Sequence, residues 1–399
     1  MQLTRQEQDI LDGAYGRSTR KAMEILVALG TIYGAEQMVQ VSSVQISGVS
    51  YDNLDEAGLS FLDEMASGGA HARVLTTLNP AGMDIKNWRA LGISEDFANN
   101  QIRVLNAFER MGVITTCTCT PYLSGNLPHF GEHIAWAESS AVAFANSVLG
   151  ARTNREGGPG ALAAAITGRT PAYGLHLDQN RRPTLTVKIN TELEGTCDFG
   201  AIGIIIGKTM ETFPLKPVPF IIGVKQASLE DLKSFCASLA TYGGAALFHM
   251  QGITPEATSY QPPAEEITID KKELDAAIRS QNEASSKEID FVSLGCPHLS
   301  INEIAHLSAL LAGKKVKKEF WITTSRPTKQ IADQMGYSQL IEESGALFAV
   351  DTCCIVSPIQ GRFKALATDS AKACYYAFSK NKFKTMFKPF DEVVAEALK

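Results

Sequence analysis

The chain has 399 residues, of which 45% are hydrophobic and 20% charged, and carries a net charge of −6. This length and composition suit two or three globular domains around substantial cores. The acidic balance, with no basic stripe alternating with aromatics, excludes an evident nucleic-acid partner. The longest apolar runs, such as AIGIIIG at 201–207, are too short to span a bilayer.

The start, MQLTRQEQDILDG, is polar and lacks a signal-peptide pattern, so a cytoplasmic chain is expected. Thr4 followed by Glu7 fits a capping box opening a helix over about 5–13, and residues 17–33 continue with helical periodicity. Apolar strands and amphipathic helices then alternate. QMVQVSSVQI (37–46) predicts a strand, LDEAGLSFLDEMA (54–66) a helix, and ARVLTTL (72–78) a strand stopped by NPAGM. Ser94 caps a helix over 95–112. VITTCTC (113–119) predicts another strand, which would put Cys117 and Cys119 on one face. EHIAWAESSAVAFANSVLG (132–150) predicts one long buried helix with Glu138 in its middle, where a carboxylate needs a partner or a function.

After the glycine and arginine loop ARTNREGGPG (151–160) come a helix at 161–168 and a region of strands and loops over about 171–225. The rhythm returns with helix 229–243, strand 245–253, a polar loop over 254–270 and helix 271–282. Strand 290–296, helix 301–313, strand 319–325, helix 328–336 and strand 347–354 complete it. Alternation of this kind argues for an α/β fold with parallel sheets. A division into 1–225 and 226–399 is expected.

Eight cysteines, at 117, 119, 197, 236, 296, 353, 354 and 374, do not make a disulfide scaffold in a chain this long. No C-x-x-C occurs, so any metal site must gather single thiols from distant segments. Functional residues of parallel α/β sheets collect at the carboxyl ends of strands. Cys119, Cys296 and Cys353 each end a predicted strand shortly before a proline. Three such thiolates suit an iron–sulfur cluster with one open iron. Buried core cysteines are the competing reading, and Cys236 fits it by its helical position. Cys197 and Cys374 stay open.

The turns SGVSY (47–51) and NPAGM (79–83) offer backbone N–H groups to an anion. Arg152 and Arg155 suit a carboxylate or phosphate, or else form an exposed helix C-cap. H-E-x-x-H, G-x-S-x-G, Walker and dinucleotide fingerprints are all missing, which argues against a zinc hydrolase, an esterase and a kinase.

SGVSY, TTLNPAGMD, CTCTPYL, GEHIAWAESSAVAFANSVLGARTNREGGP, SLGCPHLS and VDTCCIVSP together resemble the large subunit of the aconitase X family, essentially over the whole chain. The resemblance implies an aconitase-like α/β fold with several parallel or mixed sheets flanked by helices. It implies a 4Fe–4S cluster at a domain interface, held by Cys119, Cys296 and Cys353, with Cys117 beside it; a slip to Cys354 is open. It places substrate contacts at Gly48, Val49, Ser50, Asn79, Pro80, Glu138 and Ser139, with Lys372 in TDSAKACYY facing an anionic group. Arg152 and Arg155 join these by charge and location. The activity implied is a hydro-lyase acting on a small anionic hydroxy acid. That acid is (R)-5-phosphomevalonate, giving trans-anhydromevalonate 5-phosphate in the modified mevalonate pathway, or alternatively cis-3-hydroxy-L-proline. A separate small swivelling subunit would complete a heterodimer and supply the proton-abstracting serine. From the residues alone, a cluster-free binding or scaffold protein is the alternative.

Overall fold

The structure, a computed structural model, describes residues 1–399 and divides into three α/β units. The first is built on a short parallel sheet with Ser43–Ile46 between Leu75–Leu78 and Ala135–Trp136. Every residue of Ser43–Ile46 is buried, as a central parallel strand requires. The expected strand over 37–46 is two strands. Met38–Gln40 pairs antiparallel with Arg169–Pro171 in a separate ribbon. Between them the Val41 N–H donates to the Gly168 carbonyl and the Ser42 N–H to that of His133, so the pairing partner changes without a break in β propensity.

The second unit has four parallel strands in the order His249–Met250, Pro219–Ile222, Leu185–Ile189, Glu266–Ile269. Residue 225 falls between two of its neighbouring strands, so a boundary there would cut one sheet. The units divide instead between Pro171 and Leu185 and between Ser280 and Phe291. Helix Gly195–Met210 lies where strands and loops were expected. It is apolar nearly all round, so it shows no amphipathic period; that is the signature of a buried helix. Helix Leu229–Tyr242 packs so closely on it that a Cβ at Gly207 would sit 2.7 Å from the Gly243 nitrogen. Strand Glu266–Ile269 was likewise hidden within a polar stretch.

The third unit carries five parallel strands in the order Leu347–Val350, Glu319–Thr324, Phe291–Leu294, Ala365–Thr368, Lys384–Phe387. An apolar core shared by Met83, Trp88 and Leu91 of the first unit with Phe291, Trp321 and Ile359 of the third joins these two units. Arg326 reinforces the joint by bridging Asp84 and Asp351. No helix is long and apolar enough to cross a membrane.

Two local departures reshape the centre of the molecule. Residues 113–119 form no strand beyond a single bridge from Ile114 to Thr77, and Cys117 takes φ 45. The Ile114 and Thr118 N–H groups still donate to the Thr76 and Leu78 carbonyls, but the Thr116 hydroxyl also bonds the Leu78 carbonyl and that of Thr118 bonds His298, so side chains share the work of a ladder. Cys117 and Cys119 therefore do not share a strand face. The expected helix over 132–150 is a strand, Ala135–Trp136, followed by helix Ser139–Ser147. Glu138 is the N-cap of that helix, not a mid-helix carboxylate.

Glu156, just before helix Gly158–Thr167, is buried with Thr170 as its hydroxyl partner, and burial raises its pKa to about 7 from 4.5. The folded chain holds this proton longer than the unfolded one, so stability falls as pH rises through that window. Glu156→Gln is expected to stabilise the chain by about 2–3 kcal/mol at pH 8 and by almost nothing at pH 4, read from denaturant melts at both pH values.

Candidate active site

A cavity of about 270 Å³ opens where the units meet, lined by Cys119, Cys296 and Cys353 together with Arg155, Lys372 and Lys380. Cys296 and Cys353 lie in the turns just past strands Phe291–Leu294 and Leu347–Val350. Gly295 permits one of them, since at φ 106 a Cβ would lie 2.2 Å from the Thr323 carbonyl oxygen. The Cys296–Pro297 peptide is cis. Cys353 lines the cavity, whereas Cys354 belongs to the apolar core between the first and third units. Cys117 lies in the core of the first unit, and Cys197, Cys236 and Cys374 in that of the second.

All eight thiols are free. Burial pushes the Cys119 thiol up to about 12 and those of Cys296 and Cys353 upward as well. Their thiolates therefore need positive charge beside them. Two features prepare for it. The His298 N–H donates to the Cys119 Sγ at 3.2 Å, and the Ile355 and Val356 amides face the Cys353 Sγ, counteracting burial there. No three His, Cys, Asp or Glu side chains converge closely enough to hold a single metal ion. The three thiols that line the cavity are a soft donor set, of the kind that suits an iron–sulfur group.

Charged groups line the same cavity. Lys372, on helix Ala371–Tyr376, places its Nζ 2.5 Å from Glu138 Oε1 and 3.4 Å from the Ser139 hydroxyl. Glu138 Oε2 accepts from the Ser140 hydroxyl and the Ala141 N–H, both at 2.6 Å. Burial alone would raise the Glu138 carboxyl, but the Lys372 ammonium and these donors hold it below its ordinary value. Burial would lower Lys372, yet Glu138 and the thiols of Cys296 and Cys119 leave it raised.

Gly48, Asn79 and Pro80 complete the rim. Asn79 Oδ1 is buried without a hydrogen-bond partner, which leaves an acceptor free at the cavity. Arg155 is exposed at the mouth and has no carboxylate partner, while Lys380 Nζ bonds the Ile355 carbonyl at 3.0 Å.

Three expected contacts lie elsewhere. Val49 is packed in the first unit's core, its carbonyl accepting from Gln101. Ser50 donates across to the Val356 carbonyl at 3.2 Å. Arg152 faces away, paired with Asp178 and the His176 carbonyl. Residues 151–157 are not helical, so side chains three apart do not share a face as they would on a helix. Asn53, Tyr376 and Lys380 also line the cavity and were not anticipated, and Ser47 does so from the expected SGVSY turn. Tyr376 was within reach, four residues beyond Lys372 on one helix face. Lys380 sits in a π-helical turn, Ala377–Asn381, that no periodicity announces.

Comparison with known proteins agrees with this architecture. Models of the aconitase X first, second and third domains match residues 1–179, 183–279 and 289–399. The phosphomevalonate dehydratase large subunit of Methanothermobacter thermautotrophicus is 47% identical over 377 residues, covering 94% of this chain and 93% of that one. Its counterpart from Methanocaldococcus jannaschii is 45% identical over 405 residues, covering 99% of each. The crystal structure of Thermococcus kodakaraensis aconitase X in its holo-form matches with a TM-score of 0.92 and 42% identity over 100% of both chains. Three successive domain matches, meeting at a cavity with three thiols, mean that this chain belongs to the aconitase X family.

Proposed function

We propose that this chain is the large subunit of a hydro-lyase that dehydrates (R)-5-phosphomevalonate to trans-anhydromevalonate 5-phosphate. The observation that carries the reading is the joining of Cys119, Cys296 and Cys353 with Arg155, Lys372 and Lys380 around one cavity. Similarity to relatives bearing the phosphomevalonate dehydratase name selects the substrate over cis-3-hydroxy-L-proline.

Cys119, Cys296 and Cys353 would hold a 4Fe–4S cluster. Such a cluster, when bound, supplies an iron without a protein ligand as Lewis acid for the departing hydroxyl. The chain's own residues bind and orient. Arg155 and Lys380 suit the phosphate, Arg155 by its forked guanidinium and Lys380 as a point charge. Lys372, held in place by Glu138, faces the carboxylate and withdraws charge from it, which makes the adjacent C–H more acidic. Asn79 Oδ1 accepts from a substrate hydroxyl.

Glu138 is the one carboxylate that lines the cavity, and no histidine does. Every Glu138 oxygen is already bonded, and its pKa is depressed. Lys372 is held protonated. Proton abstraction therefore falls to a residue of a second chain, for which we propose a serine on a small subunit. Anaerobic co-expression with that subunit is expected to give turnover of phosphomevalonate and none of cis-3-hydroxy-L-proline, while the large chain alone stays inactive. Hydroxyproline turnover without phosphomevalonate turnover would reject the substrate assignment.

A further inference from the structure

His298 spends all four of its polar atoms on contacts that reach the three units. Its side chain is fully buried. The backbone N–H donates to the Cys119 Sγ at 3.2 Å, and the carbonyl accepts from Lys233 Nζ at 2.9 Å, on helix Leu229–Tyr242 of the second unit. In the ring, Nδ1 lies 3.0 Å from the Thr118 hydroxyl and Nε2 lies 2.9 Å from the Thr352 carbonyl. A carbonyl only accepts, so Nε2 carries the proton and Nδ1 accepts from Thr118. Thr118 directly precedes Cys119, Thr352 directly precedes Cys353, and His298 itself follows Cys296 by two residues. One imidazole thus ties together the three cysteine-bearing segments. The tie matters most for Cys119, because residues 113–119 are held to the sheet by one bridge and scattered bonds to Thr76 and Leu78 instead of a continuous ladder.

We propose that His298 is a positioning residue, a clasp that sets the mutual spacing of Cys119, Cys296 and Cys353 before any iron is loaded. The inference rests on reading these cysteines as cluster ligands. Groups that orient metal ligands from behind typically change metal retention by about 10–100-fold when removed.

The test uses the full chain with His298→Ala, His298→Asn, His298→Gln and Thr118→Val, each first shown by circular dichroism to be folded. Asparagine can keep the acceptor for Thr118 and loses the Thr352 bond; glutamine keeps the donor to Thr352 and loses Thr118. After anaerobic reconstitution with iron and sulfide, bleaching of the visible band by a chelator is expected to be about 10–100-fold faster in His298→Ala, with the other three in between. In the iron-free chain, iodoacetamide labelling followed by mass spectrometry should show Cys119 more reactive in Thr118→Val and His298→Gln. Cys353 should gain reactivity in His298→Asn alone of these three.

Bleaching and labelling within about two-fold of the unmodified chain in every folded variant would overturn the clasp. If the unmodified chain retains no iron, the cluster reading fails on its own, and the labelling pattern alone decides whether His298 holds the thiols. Should His298→Ala not fold, Thr118→Val and the Asn and Gln pair decide the outcome.

Discussion

Cys296→Ala is expected to hold no intact cluster after anaerobic reconstitution, and its activity with the small subunit is expected to fall to background. Two thiols cannot fill the three ligand positions of the proposed cluster. No other cysteine can take the lost place. Cys354 is packed into the core between the first and third units, and Cys117 into that of the first. The fold itself should survive, because Cys296 borders an existing cavity and carries no hydrogen bond that the packing depends on. Its denaturation midpoint should correspond to a change within about 1 kcal/mol. Iron and sulfide analysis checks the first expectation and a urea melt the second. Unchanged iron content in a folded Cys296→Ala chain would remove the basis of the proposed chemistry.

Lys372→Met is expected to cost about 3–5 kcal/mol of stability, because it strands Glu138 as a buried carboxylate without its cation. The long apolar side chain fills much of the same space, so the loss is chiefly electrostatic. The pair holds Glu138 below its ordinary 4.5 and Lys372 above 10.5. Its contribution is therefore complete between those values and declines as pH falls through the depressed Glu138 pKa, or rises past 10.5. The deficit of Lys372→Met should follow the same window in urea melts. Adding Glu138→Gln removes the stranded charge, so the double variant should recover most of the lost stability. It should not recover turnover, since the cation facing the substrate is gone. A double variant as unstable as Lys372→Met would show that the lysine acts through packing.

The alternation of strand and helix was legible along most of the chain because periodicity reports which face of one element is buried. The capping box at Thr4 and the Ser94 cap were equally local, each a side chain bonding a backbone three residues away. The buried helix Gly195–Met210 escaped because apolar residues on every side erase the period. The placing of Cys119, Cys296 and Cys353 at segment ends came from pattern, and their assignment as ligands from motifs resembling a known family.

What the amino-acid order determined by itself was this series of elements and the chemistry available at their ends. Tertiary packing decided the rest. It turned 113–119 away from a ladder, made Glu138 a cap that meets Lys372 from 234 positions later, and separated Arg155 from Arg152. It also brought His298 against Thr118 and Thr352. Local spacing constrains neighbours along one element, whereas a cavity is closed by groups far apart in the chain, whose contacts exist only once three cores have packed against each other.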